Sequence, residues 1–327
     1  MDSPQDRDAF PWRQAGPRGR PMLPCRMRAV VYSPAYDCDI GEHVFPTAKY
    51  PLVLQSLLES GAVLPEQVVL PEPAGRDLLQ LVHTPAYLDD FLSLRPTRRV
   101  MLSELPITAE IRDSYILAAG GTLLASRRAL ADGAAMHLGG GFHHAMPDHA
   151  EGFCYLNDIA VALRTLQQDG AIRRAAVIDT DVHQGNGTAR IFQGDAAVFT
   201  FSIHQENNYP VKERGDWDIG LDDGTGDEAY LEHLRLAVPE ILERVEPDLV
   251  VMVAGADPYL EDQLGGLALT LPGLQTRDRF VVRECAGRGV PVVGVLAGGY
   301  AARLADTIAI HAATTREVLS WTLPGSS

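Results

Sequence analysis

The stretch VIDTDVHQGNGT, residues 177–188, joins a short apolar run to a polar, glycine-rich segment. Asp179, Asp181 and His183 alternate within it, so in an extended backbone their side chains point to the same side. Burying two carboxylates and an imidazole beside a core strand is costly unless a cation or donors compensate. Carboxylate and imidazole groups are both zinc ligands, so we expect a metal site here. The alternative is an exposed polar loop, which fits poorly with the apolar run that leads into it.

The same change from apolar run to polar segment recurs along the chain. Most strand candidates are continuously apolar, as is typical of parallel strands covered on both faces. The strand candidates are 28–32, 134–138, 175–179, 197–203, 249–254 and 290–296. The helical patterns between them are 48–59, 107–131, 158–168, 227–245, 274–287 and 301–319. This alternation predicts an α/β fold, namely a single domain with a mainly parallel sheet and helices on both faces.

Five polar clusters follow directly on these strands: GGGFHH, TDVHQGNG, HQENNYP, GADP and GGY. Ligands of open parallel sheets bind beyond the carboxyl ends of the strands, so we expect the clusters to meet at one rim. Asp257, in GADP, could then join Asp181 and His183. Three protein ligands and an open position describe a catalytic zinc site. Taken alone, Asp257 before Pro258 also fits a turn or helix cap.

The pair His143 and His144 follows three glycines. Neighbouring residues of an extended chain face opposite ways, and the glycines can supply the turn that brings both imidazoles to one site. Histidine is the usual acid–base residue near neutral pH. We therefore expect a catalytic pair, although a lone histidine is more often a hydrogen-bonded core residue.

Two further motifs give weaker signals. Tyr300, in LAGGYA, lies where a strand should turn into a helix, and its phenol could donate to a developing oxyanion; the alternative is a packing tyrosine. Gly152 and Phe153, followed by Cys154, could form one wall of a narrow apolar channel, although core aromatics are common.

The composition is that of an ordinary globular protein, with 46% apolar and 22% charged residues among 327. A formal net charge of −15 argues against a nucleic-acid partner and suits cationic substrates such as lysine-rich peptides or polyamines. The alternative is that the acidity only serves solubility. No apolar run is long enough to predict a membrane span.

The four cysteines are scattered and form no C-x-x-C pair, which argues against a disulfide framework or a thiolate zinc site. This fits a reducing cytoplasm, the predicted location. Residues 1–26 are rich in Pro, Arg and Asp and lack the apolar core of a signal peptide. We expect them to form a flexible arm, and residues 27–327 to form the catalytic domain.

The motifs GGGFHHA, EGFCYLNDIA, VIDTDVHQGNG, FSIH, AGADP and GGY, in this order and at these separations, resemble those of the histone deacetylase family. The resemblance runs from about residue 28 to about residue 319. The segments HVFPTAKYPLVLQSLLESG, DDGTGDEAYL and EDQLGGLALT resemble class IV and its bacterial relatives more closely than class I. The resemblance implies the arginase/deacetylase-like fold and zinc-dependent hydrolysis of the amide of N-acyl-lysine, with an acetyl or longer acyl group.

The resemblance also implies roles for individual residues. The implied zinc ligands are Asp181, His183 and Asp257. The implied catalytic residues are His143, His144, Tyr300, Asp179, which orients His143, and Asn186, which lies beside His144. The implied walls of the acyl-lysine channel are Gly152, Phe153 and Tyr209. A structural K⁺ is implied at Asp179, Asp181, His183, Ser202 and Ile203; nothing in composition or spacing indicates this cation.

Two positions depart from the class I pattern. Asn186 stands where class I members carry Asp, so no full negative charge raises the basicity of His144. LAGGY replaces a longer glycine run before Tyr300, which puts the rigidity of that loop in doubt.

Other functions stay open at this point. The same chemistry could act on acetylpolyamines or other small amides, and a non-catalytic acyl-amine binder could share the fold. A ureohydrolase-like binuclear enzyme would need a second set of metal-binding carboxylates, which we cannot assign. Oxygen and nitrogen ligands would also accept Fe²⁺ or Co²⁺, and homo-oligomerisation is left open.

Overall fold

The computed structural model describes residues 27–323, so the predicted flexible arm at 1–26 lies outside the described residues. Within these residues, eight strands form one sheet in the order β2-β1-β3-β8-β7-β4-β5-β6, and every neighbouring pair is parallel. The strands are β1 (Val30–Val31), β2 (Val68–Val69), β3 (Ala134–His137), β4 (Ala175–Asp179), β5 (Val198–Gln205), β6 (Trp217–Leu221), β7 (Leu249–Val253) and β8 (Val292–Val295). The predicted parallel α/β fold is confirmed.

Helices cover the two faces of this sheet. They are α1 (Lys49–Glu59), α2 (Arg76–Leu79), α3 (Pro85–Leu92), α4 (Arg98–Met101), α5 (Ala109–Asp132), α6 (Asp158–Gln168), α7 (Asn186–Phe192), α8 (Asp227–Val245), α9 (Leu271–Gly287) and α10 (Leu304–Leu319). None of them, within the described part of the chain, is both long and apolar enough to cross a lipid bilayer.

Alternate residues of each buried strand face opposite layers of helices. In β7, Val250 and Met252 pack into the core beneath α1, α8, α9 and α10, whereas Leu249 and Val251 pack into the core beneath α6. Both sets are fully buried. This is why the strands read as continuous apolar runs, since neither face meets water.

All six predicted strands and all six predicted helices are present, with ends that differ by up to three residues. The sequence analysis missed β2 and β6 at the two edges of the sheet, and the short helices α2, α3, α4 and α7. The edge strand β6 alternates between half-buried and exposed residues, so it lacks the apolar run that marked the central strands.

The strand order explains why the polar clusters meet. β3, β8, β7, β4 and β5 are consecutive neighbours in the sheet, and each of the five clusters begins within three residues of the carboxyl end of one of them. Parallel strands present their carboxyl ends at one edge, so the five clusters lie side by side there.

Candidate metal centre and active site

Asp181, His183 and Asp257 form a buried group of three metal-ligating side chains, with one candidate ligand atom from each lying within 4.8 Å of the others. Asp181 and His183 follow β4, and Asp257 follows the neighbouring strand β7. Nδ1 of His183 lies 3.2 Å from Oδ1 of Asp181 and 3.4 Å from Oδ2 of Asp257. The sequence analysis predicted this meeting of residues from two strands.

The backbone around the three side chains leaves room for them and donates hydrogen bonds to both carboxylates. Gly298 donates its N–H to Oδ2 of Asp181 at 2.9 Å, and Val182 donates to Oδ1 of Asp257 at 2.9 Å. Oδ2 of Asp257 is buried and has no hydrogen-bond partner among residues 27–323. A Cβ on Gly298 would lie 2.0 Å from that oxygen, so only glycine fits.

The charges of this group fit a divalent cation. Burial and the neighbouring charge of Asp181 raise the pKa of Asp257 to about 7. Burial opposes protonation of His183, but the adjacent carboxylates of Asp181 and Asp257 raise its pKa to about 10. A cation would take the place of that proton, because metal binding requires a neutral imidazole and ionised carboxylates. An orphaned buried oxygen and an O, N, O donor set suit Zn²⁺ or a similar ion.

A tight turn brings His143 and His144 together after β3. Gly141 has a φ of +102°, which favours glycine, and its N–H donates to the carboxylate of Asp158 at 3.0 Å. Asp158 begins α6 and also accepts the N–H of Phe142 at 2.7 Å. The two imidazoles end with their Nε2 atoms 3.1 Å apart. The expectation that the glycines supply a turn matches this geometry.

The two histidines have different partners and opposite pKa shifts. Nδ1 of His143 lies 2.7 Å from Oδ2 of Asp179, and Nδ1 of His144 lies 2.8 Å from Oδ1 of Asn186. Burial opposes the charge on His143, but Asp179 and Asp181 outweigh it and raise its pKa to about 9. Burial and the charge of His143 hold the pKa of His144 well below its usual value. His143 is therefore the charged member of the pair and His144 the neutral one.

Tyr300 lies in the wall of the same cavity, after β8. Its backbone N–H donates to Oδ2 of Asp262 at 2.7 Å, and the Gln263 side chain donates to its carbonyl at 2.8 Å. Burial and the charge of Asp257 raise the pKa of Tyr300 well above its usual value. The phenol therefore stays protonated, as a hydrogen-bond donor must.

Aromatic rings line the entrance to the cavity. Phe153 lies 6.0 Å from Tyr300 and 6.1 Å from Phe45, measured between ring centroids. The ring of Tyr209 lies 5.3 Å from that of His144 and Tyr209 is 40% exposed. A Cβ on Gly152 would lie 2.7 Å from both His144 and Tyr209. Gly152 and Phe153 line the cavity and Tyr209 lies next to Gly152, while their role as a substrate channel stays a prediction.

Three of the residues predicted to hold a monovalent cation lie on the neighbouring strands β4 and β5, and the other two, Asp181 and His183, belong to the metal group. Asp179 pairs with Ser202 in the register of β4 and β5, and Ile203 follows in β5. The Ser202 hydroxyl lies 2.9 Å from Nδ1 of His204. The cation itself stays a prediction.

Several polar residues around the site escaped the sequence analysis. Arg277 of α9 is fully buried and donates to the carbonyls of Thr180 and Gly255, which lie beside two of the candidate ligands. Lys49 of α1 is fully buried as well, and Glu151 contacts Asn186. The motif EGFCYLND begins with Glu151, but nothing in its spacing indicates that Glu151 contacts Asn186, 35 residues further along the chain.

Comparison with known proteins identifies the family. The model of the histone deacetylase domain matches residues 43–316, most of the chain. The chain belongs to the histone deacetylase family. An uncharacterized protein of Picosynechococcus sp. is 44% identical over 288 residues, covering 86% of this chain and 95% of its own length. The acetoin utilization protein AcuC of Bacillus subtilis is 31% identical over 302 residues, covering 83% and 76%.

Solved structures agree on the fold. The crystal structure of a histone deacetylase homologue complexed with SAHA superposes with a TM-score of 0.79 at 22% identity, covering 91% of this chain and 86% of that one. Family membership places the chain among deacetylases, which hydrolyse amide bonds, and the family is typically metal-dependent.

Proposed function

We propose that this protein is a zinc-dependent deacylase that hydrolyses the amide of N-acyl-lysine, with an acetyl or longer acyl group. The proposal rests on the buried group of Asp181, His183 and Asp257. Asp181 and His183 line the same cavity as His143, His144 and Tyr300. A divalent ion held by these three residues supplies Lewis-acid polarisation of an amide carbonyl and of water.

The histidine pair, His143 and His144, carries out proton transfer. His144 is neutral and lines the cavity, with its Nε2 3.1 Å from that of His143, and it would take the proton of the attacking water as a general base. His143 is held by Asp179 and carries positive charge, which stabilises the developing negative charge nearby. The departing amine then leaves protonated by a histidine.

Tyr300 completes the set as a donor to the tetrahedral oxyanion. Its phenol is kept protonated by burial and faces the same cavity. Preorganised donors of this kind stabilise charge where it develops. Phe153, Gly152 and Tyr209 would enclose the aliphatic stem of the substrate, because apolar rings at a narrow mouth exclude water.

The substrate class rests on charge and on family likeness. A net charge of −15 favours a cationic substrate, and a homologous structure holds SAHA. An acetylpolyamine or other small amide is the second candidate, since it presents the same amide and a positive charge. A non-catalytic acyl-amine binder is a weaker candidate, because every residue that the chemistry requires is present.

Three further properties belong to this proposal. A K⁺ at Asp179, Asp181, His183, Ser202 and Ile203 would neutralise the buried carboxylate of Asp179. A cytoplasmic location is supported by the free thiols of Cys38, Cys154 and Cys285. Direct nucleic-acid binding is disfavoured by the acidic charge.

A substrate panel tests the function. Turnover is measured on acetyl-lysine peptide, long-chain acyl-lysine peptide and acetylspermidine, each with and without a chelator. We expect the chelator to abolish hydrolysis and zinc to restore it. Preference for the peptides supports the first candidate and preference for acetylspermidine the second, whereas no hydrolysis of any amide by the zinc-loaded protein would contradict the enzyme.

A further inference from the structure

Glu151 links the partner of one catalytic histidine to the mouth of the channel. Its Oε1 accepts a hydrogen bond from Nδ2 of Asn186 at 3.0 Å and another from the Tyr209 hydroxyl at 3.3 Å. Its Oε2 lies 3.5 Å from Nε2 of His149, and the Glu151 side chain is 21% exposed. Nothing in the proposed chemistry uses this carboxylate.

The contact with Glu151 decides which way the Asn186 amide points. An ionised carboxylate only accepts hydrogen bonds, so Asn186 must turn its NH₂ toward Glu151. Its carbonyl oxygen then faces His144, with Oδ1 2.8 Å from Nδ1. A carbonyl also only accepts, so His144 must carry its proton on Nδ1. Nε2 is then unprotonated, as a general base requires, and its lone pair faces Nε2 of His143 at 3.1 Å.

We propose that Glu151 is a positioning residue that fixes the tautomer of His144 through Asn186. The inference rests on the proposed function, in which His144 is the base. An aspartate at position 186 would need no such partner, because both of its oxygens accept hydrogen bonds. An asparagine at this position can also turn its NH₂ group toward His144. Glu151 disfavours that orientation, because it would place the Asn186 carbonyl oxygen against the carboxylate.

The backbone around Glu151 holds the carboxylate in place. Glu151 and Cys154 exchange backbone hydrogen bonds of 3.0 and 2.8 Å across a tight turn. Within that turn Gly152 and Phe153 have φ values of +50° and +62°. A left-handed conformation at Phe153 is strained for a residue with a side chain, so the surrounding contacts must hold the turn in this conformation. Glu151 thus projects from a rigid support.

A mutant cycle tests the inference by rescue. Glu151→Met keeps the length of the side chain and removes the acceptor, and we expect kcat to fall about 10-fold or more, as loss of an orienting partner typically does. Asn186→Asp alone places a second carboxylate against Glu151 and should also lower kcat. The double variant Glu151→Met with Asn186→Asp should exceed both single variants, because the introduced carboxylate accepts from His144 in either orientation. KM need not recover, since Tyr209 still lacks its partner.

The control is Asp148→Asn, which removes one negative charge from the same loop. Asp148 is exposed and contacts His149. We expect its kcat to equal that of the parent protein. A parental kcat in Glu151→Met, an equal loss in Asp148→Asn, or a double variant no faster than Glu151→Met would overturn the inference.

A second readout needs no substrate. In protein labelled with ¹⁵N-histidine, the His144 signals, identified by their absence in His144→Gln, report which ring nitrogen is protonated. We expect Nδ1 to carry the proton in the parent and to lose that exclusive protonation in Glu151→Met. An unchanged tautomer would overturn the inference. An inactive parent would contradict the proposed function and leave this measurement valid.

Discussion

Lys49 donates a hydrogen bond of 2.6 Å from Nζ to the carbonyl oxygen of Ala297, three residues before Tyr300. Lys49 is fully buried, and its ammonium lies 5.2 Å from the ring of Phe45 and 5.4 Å from that of Tyr50. Burial lowers its pKa to about 8, and the nearby carboxylates oppose that shift. Ala297 has a left-handed φ of +55°. A buried cation thus holds a strained point of the loop that carries the tyrosine.

We expect Lys49→Met to lower turnover without unfolding the protein. A hydrogen bond from a charged donor contributes about 1.5–3 kcal/mol, which corresponds to roughly 10- to 100-fold in rate if it serves only to position the loop. Methionine fills a similar space, so the protein should still fold, with a melting temperature lowered by several degrees. Steady-state kinetics and thermal melting test this together. Unchanged turnover would show that Lys49 serves packing alone.

Tyr300→Phe should lower kcat by about 10²-fold or more, the usual loss when one oxyanion donor is removed. Metal content should be unchanged, because Tyr300 is not a proposed ligand. The matched control is Tyr259→Phe, a tyrosine outside the cavity lining that should keep parental turnover. A near-parental rate for Tyr300→Phe would remove the phenol from the mechanism.

Gly298→Ala should lose metal although no ligand changes. The new Cβ would lie 2.0 Å from Oδ2 of Asp257 and 2.7 Å from Oδ2 of Asp181. Contacts under 3.0 Å force the neighbour to move, so both carboxylates must shift. Gly287→Ala is the control, because its Cβ would meet nothing within 4 Å. Metal analysis of the purified proteins should show loss only in Gly298→Ala. Equal metal content in the two variants would contradict the geometry.

His83 should make the fold sensitive to mild acid. Nε2 accepts the N–H of Asn157 at 3.1 Å and Nδ1 lies 3.0 Å from the carbonyl of Met146, so the ring is held neutral. Burial lowers its pKa from 6.5 to about 4. Below about pH 6.5 the unfolded state binds the proton and the folded state does not, so stability falls as the pH drops toward 4. Protonation of His83 in the unfolded state lowers the free energy of unfolding by about 3 kcal/mol once the pH has reached about 4.

Chemical denaturation at pH 7.5 and pH 5 measures this contribution. His83→Gln carries no titratable group at that position, so its stability should fall less between the two pH values than that of the parent. Other buried histidines, such as His137, contribute equally to the loss of stability in both proteins, so subtracting one loss from the other isolates the contribution of His83. Equal falls in both proteins would show that His83 is protonated in the folded state.

Much of the site could be predicted because its residues follow buried strands. The strand 175–179 was predicted with its observed ends, and the alternation of Asp179, Asp181 and His183 pointed to a metal group. The helix α7 was missed because it begins at Asn186 and continues with Gly187, which read as a loop. Its buried position, beneath the histidine loop, compensates for weak intrinsic helix propensity.

The supporting residues could not be predicted, because their partners are distant in the chain. Lys49 contacts a carbonyl 248 positions away, and Arg277 contacts one 97 positions away. A charged residue in a helical pattern reads as part of a solvated face. Only the packing of α1 and α9 against the sheet shows that these two cations are buried beside the carboxylates.

Metal analysis of Asp257→Ala beside the parent protein tests the central claim most directly, namely that Asp181, His183 and Asp257 share one divalent ion. Asp257 supplies a buried oxygen with no other partner among the described residues. We expect about one equivalent of zinc in the parent protein and little zinc in the variant, which should also lose amide hydrolysis. Full zinc occupancy in Asp257→Ala would contradict the assignment.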